Sequence, residues 1–123
     1  MSKNIIILNR GDTLEFDLTI EDDNAVGGRY ILKDKDTVFF GVMDPHQPFE
    51  DALIKKMYTT KDIDSMGNLV IRLDPDDTLD LLPGVYYYAI KLHCKSSANL
   101  VSGEPKIDKV ITVINKTKFI LND

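Results

Sequence analysis

Residues 74–94 read DPDDTLDLLPGVYYYAIKLHC, and this stretch decides the fold. In its second half Tyr86, Tyr88, Ile90, Leu92 and Cys94 fall on one side of an extended chain, and Tyr87, Ala89, Lys91 and His93 on the other. Side chains on a strand point to alternate faces, so this period of two predicts a long central strand from Val85 to Cys94 with one buried face. The first half carries the only helical signal in the chain. Asp74 or Asp76 can cap it, acids sit near its start, and Pro83 and Gly84 stop it, which predicts one short helical turn near residues 76–82.

Working outward, the same alternation recurs. Leu14, Phe16, Leu18 and Ile20 alternate with Thr13, Glu15, Asp17 and Thr19, and Leu69, Ile71 and Leu73 alternate with Val70 and Arg72. Val38, Phe40 and Val42 share a face, with Phe39 directed outward beside Gly41. Ile5 to Leu8, Ala52 to Thr59, Ile107 to Ile114 and Lys118 to Leu121 complete the strand-like runs, with a bend at Asn115, Lys116 and Thr117 between the last two. Turn formers separate them: Asn9 to Asp12, the acidic loop Glu21 to Asn24 with Gly27 and Gly28, two prolines at Pro45 and Pro48, the polar turn Lys61 to Gly67, and the loop Lys95 to Pro105. Short strands at roughly 8 to 12 residue spacing, with no amphipathic helix between them, are the pattern of an all-β sandwich. The expected core is Leu14, Phe16, Leu18, Val38, Phe40, Leu69, Ile71, Tyr86, Tyr88, Ile90 and Leu92.

The run Leu82, Pro83, Gly84, Val85, Tyr86 resembles the tyrosine corner of immunoglobulin-like and fibronectin-like sandwiches, in which a phenol at the start of a strand bonds back to nearby backbone. Where the chain passes over the end of the core from one sheet to the other, a backbone group is orphaned, and Tyr86 or Tyr88 can satisfy it. The resemblance implies an immunoglobulin-like antiparallel β-sandwich of about seven to nine strands. With 123 residues and no linker, residues 1–123 form a single domain in this reading.

Charge and composition narrow the function. The 15 Lys and Arg against 20 Asp and Glu give a net charge of −5, which disfavours the clustered cations that bind nucleic acid through counterion release. The single cysteine, Cys94, excludes an internal disulfide and fits a reducing compartment. No stretch approaches the roughly 20 apolar residues that span a bilayer, and Met1 to Leu8 lacks the order of a signal peptide, so no membrane partner is expected.

No catalytic, cofactor or metal site is expected. Asp74, Asp76, Asp77 and Asp80 form the densest carboxylate cluster, but they lack the calcium-loop spacing and suit a capped helical turn. Glu21, Asp22 and Asp23 read as a solvated loop. His46 and His93 lie in no ligand motif, and His93 points away from its neighbour Cys94, which leaves Cys94 as a small core residue and not a nucleophile. Phe39 and Tyr87, both outward on predicted strands, form the candidate interaction surface.

The ordered pieces GDTLEFDLTI, TVFFGV, NLVIRL, DPDDTLDLLPGVYYYAIKL and KVITVINKTKFIL resemble the amino-terminal β-sandwich module of upper-baseplate and tail proteins, part of the receptor-binding apparatus of phages infecting Gram-positive bacteria. The resemblance runs from Arg10 to about Leu121, and its most specific part is Asp77, Thr78, Leu82, Pro83, Gly84, Tyr86 and Tyr88 in that order. It implies a non-enzymatic phage or prophage structural protein that docks on a baseplate or tail and assembles as a homo-oligomer. The location it implies is the virion, or the host cytoplasm during assembly. In that family the module usually opens a longer chain, so a sequence ending just after the sandwich is expected to be a small virion, prophage or accessory protein. The alternative is a carbohydrate-binding module with an aromatic platform around Tyr87 and calcium at Asp74 to Asp80.

Overall fold

Each alternating run becomes a strand, and the strands lie in two sheets. The computed structural model describes residues 5–20, 30, 32–96 and 106–123, side chains at 95, 96 and 106–109 excepted. The acidic run Glu21 to Asp23, with Gly27, Gly28 and most of the loop after β6, therefore lies outside the described residues. The strands are β1 (Ile6–Asn9), β2 (Leu14–Leu18), β3 (Thr37–Met43), β4 (Ile54–Tyr58), β5 (Leu69–Leu73), β6 (Gly84–Ser96) and β7 (Lys106–Asn122). One sheet has the order β1-β7-β6-β3-β4 and the other is the pair β2-β5. This is the expected all-β sandwich, with β6 near the middle of the larger sheet.

Three details differ from the sequence reading. The helix α1 occupies Pro75–Leu79, ending earlier than expected, because Asp74 and Asp77 form a reciprocal capping box that starts it at Pro75. The sheet is not wholly antiparallel: β1 pairs with β7 in parallel, Ile6 beside Phe119 and Asn9 beside Asn122. The bend at Asn115 to Thr117 does not end a strand. Tyr88 pairs with Thr117 and Ile90 with Ile114, so β7 absorbs an extra residue as a bulge and continues.

The core lies where the alternation put it. Val38, Phe40, Val42, Ile71, Leu73, Tyr88, Ile90, Leu92, Phe119 and Leu121 are buried, and the rings of Phe40 and Tyr88 stack with centroids 5.6 Å apart. Leu14 and Phe16 pack against the core but are only partly buried, on a strand that pairs with β5 alone among the described residues. The helix α1 is pinned by Thr78, whose fully buried hydroxyl accepts a 2.9 Å hydrogen bond from the Gly11 amide in the β1–β2 turn.

Tyr86 makes the corner. Its hydroxyl donates to the Leu82 carbonyl at 2.5 Å, while Tyr88 is spent on the core. Removing that hydroxyl as Tyr86→Phe is expected to cost about 0.5 to 1.5 kcal/mol, the net worth of one hydrogen bond whose carbonyl can turn to water. Denaturant melts should show a lower midpoint with an unchanged slope; an unchanged midpoint would remove the corner from the list of stabilising contacts.

Candidate functional site

The outer face of the five-stranded sheet is shaped by a missing side chain. Gly41 on β3 faces outward opposite Ala89 of β6 and Lys55 of β4. The β3–β4 connection folds back over it as a short 3-10 turn, Phe49–Asp51. A Cβ at Gly41 would lie 3.0 Å from the Phe49 ring and 3.2 Å from Ala52, so a side chain there would have to displace the ring that now rests on the sheet. The Lys91 ammonium then sits 5.0 Å from the Phe49 ring centroid, a cation–π contact.

Beside that ring lies a groove of about 430 Å³ lined by Phe39, Phe49, His93 and Val110, with Lys55, Lys91 and Glu50 completing its walls. Phe39 and His93 touch in a tilted ring contact, centroids 4.6 Å apart. Gly41→Val is expected to push Phe49 off the sheet and destabilise by about 1 to 3 kcal/mol. In a Phe49→Ala background the same substitution should cost much less, and a double-mutant cycle on the melting free energies measures the difference.

Phe39 and Tyr87 share this face without touching one row. Phe39 is level with Lys91, Tyr87 is level with Met43, and the Gly41–Ala89 row under Phe49 separates them. Both are half-buried. Sequence reasoning missed a second apolar row on the Tyr87 side. Ile7, Ile120 and Val85 stand side by side across β1, β7 and β6, with Ile7 64% and Val85 49% exposed. The signal was present in the β-branched run Ile5 to Leu8, but a parallel β1–β7 pairing was needed to bring it beside Val85. No protein-family model and no curated protein matches the chain.

Two members of the acidic cluster, Asp74 and Asp77, are engaged by their own neighbours. Asp77 accepts from the Asp74 amide at 2.7 Å and pairs with Lys56 at 2.9 Å, while Asp74 takes Arg72 at 2.8 Å. The Arg72 guanidinium beside Asp74 holds that carboxyl below its ordinary range. Among the described residues no three His, Cys, Asp or Glu side chains are grouped to hold a metal ion. His46 is exposed in the β3–β4 connection, well separated in sequence from Cys94 on β6. Cys94 is half-buried against the core, its sulfur 3.7 Å from the Tyr30 hydroxyl, which donates to the buried Asp36 carboxylate. Burial and the Asp36 carboxylate both push the Tyr30 phenol well above its ordinary pKa. Asp36 also accepts from the Lys33 amide at 3.0 Å, so this cluster ties a turn to the sheet.

Proposed function

We propose that the chain is a non-enzymatic assembly protein of a phage or prophage particle, docking on baseplate or tail proteins and joining copies of itself through the outer face of the five-stranded sheet. The observation that carries the reading is the apolar row Ile7, Ile120 and Val85, exposed at Ile7 and Val85 and half-buried at Ile120, with exposed Ile5 just before β1 and half-buried Tyr87 in the next row beside exposed Lys118. Contiguous apolar surface on a soluble domain marks an association site. The likeness of the ordered strands and of Asp77, Thr78, Leu82, Pro83, Gly84, Tyr86 and Tyr88 to the phage module supplies the kind of partner.

The experiment is light scattering after size exclusion, with the wild type beside Val85→Lys, together with co-purification against a panel of tail and baseplate proteins of phages that infect Gram-positive bacteria. An oligomer that dissociates in the variant, and capture of a tail protein, support the reading. A monomeric wild type that captures none of those proteins refutes it.

The aromatic groove at Phe39, Phe49 and His93 favours a second reading, a carbohydrate-binding module. Calcium is not part of it, since Asp74 and Asp77 are engaged by Arg72 and Lys56. Glycan-array binding lost in Phe39→Ala and unchanged by chelator would move this reading to first place.

A further inference from the structure

The two edges of the small sheet are treated differently. On β5 the edge is closed. The Tyr58 hydroxyl, reaching across from β4, donates to the Arg72 carbonyl at 2.8 Å and accepts from the Arg72 amide at 3.2 Å. One phenol thus takes the place of a neighbouring strand residue. Further along, Ile63 bridges Leu69, and the Asp64 amide donates to the Asn68 carbonyl at 2.8 Å.

The same contact fixes the orientation of β2. Because Arg72 turns its amide and carbonyl toward Tyr58, its pairing with Glu15 is of the type that exchanges no backbone hydrogen bonds. The amides and carbonyls of Glu15, and two residues on of Asp17, therefore point out of the free edge of β2. Among the described residues they have no backbone partner there. Leu14 and Phe16, on the inward face of this strand, are only half-buried. An open hydrogen-bonding edge and incompletely covered apolar side chains thus occur on one strand.

We propose that the free edge of β2 accepts an extended segment of another protein in which Lys or Arg alternates with apolar residues. Residues directly opposite in an antiparallel pair lie on one face, so cations opposite Glu15 and Asp17 gain attraction while apolar residues opposite Leu14 and Phe16 extend the core. The charges select the occupant. Two copies joined through β2 would set Glu15 and Asp17 against their like, which disfavours self-pairing. Arg72, the cation nearest this row, is already shared between Glu15 and Asp74. This site is distinct from the outer face of the five-stranded sheet and stands whether or not that face joins copies.

The test uses the full chain and a capped peptide of alternating Val and Lys, followed by amide hydrogen exchange and heteronuclear shift mapping. In the free protein the Glu15 and Asp17 amides exchange much faster than that of Phe16; with peptide they slow by about tenfold or more. Asp17→Lys weakens binding by about tenfold and gains binding to the matching Val and Glu peptide. A peptide N-methylated at every second residue keeps its charge and loses the strand hydrogen bonds, so it fails to bind. Equal binding by the methylated peptide would reduce the effect to general attraction by an acidic protein and overturn the proposal. So would Glu15 and Asp17 amides already protected in the free protein, which would mean that the edge is covered before any peptide arrives.

Discussion

Phe40→Ala is expected to destabilise the domain by about 3 to 5 kcal/mol, as truncation of buried aromatics does. Phe40 is 1% exposed on β3, hydrogen-bonded strands flank it on both sides, and its ring stacks on Tyr88. The lost ring leaves a cavity between two sheets that neither β3 nor β6 can close without breaking the ladder between them. Against a total stability of about 5 to 15 kcal/mol for a domain of ordinary size, this is a large fraction. Thermal and denaturant melts measure it, and a midpoint near that of the wild type would sink the assignment of Phe40 to the centre of the core.

Base is expected to unfold the protein cooperatively. Burial pushes the phenols of Tyr30, Tyr58, Tyr86 and Tyr88 above their ordinary value of 10.0. For Tyr58 the carboxylates of Asp77, Asp62 and Asp74 add to the rise, while its hydrogen bond to Arg72 opposes it. The sign follows from proton counts: above about pH 10 the unfolded chain has released phenolic protons that the folded chain still holds, so rising pH favours unfolding. These groups contribute their full stability below pH 10 and lose it as the pH climbs through their raised folded values. Tyrosinate absorbance and the far-ultraviolet strand signal should therefore change together. Phenols that titrate one by one while the strand signal stays intact would show that they are not buried as described.

The strands were legible in the sequence because alternation is a local signal. Leu69 to Leu73 and Val85 to Cys94 each reveal their buried face without any knowledge of their neighbours. The tyrosine corner was legible for the same reason, since donor and acceptor are Tyr86 and Leu82. Phe16 shows the limit. Its alternation matches that of Phe40, yet it is half-buried because burial depends on how many strands lie beyond β2, and that is a property of topology. Phe16→Ala should accordingly cost less than Phe40→Ala. The candidate interaction face was half legible. Phe39 and Tyr87 were identified as outward, but the groove beside Phe39 depends on Phe49 settling over Gly41, and the row beside Tyr87 on a parallel pairing between the first and last strands. The dual contact of Tyr58 with Arg72 joins residues 14 positions apart on different sheets and leaves no local trace.

That pairing of first and last strands has a mechanical consequence. Ile6 lies beside Phe119 and Asn9 beside Asn122, with Arg10 clamped to Asp123 at 2.7 Å. Tension applied at residue 5 and at Asp123 pulls β1 and β7 past each other lengthwise, so their slanted hydrogen bonds bear the load at once and not in succession. A domain threaded this way resists stretching along its own axis and peels readily when dragged sideways, a directional toughness suited to any protein held under load.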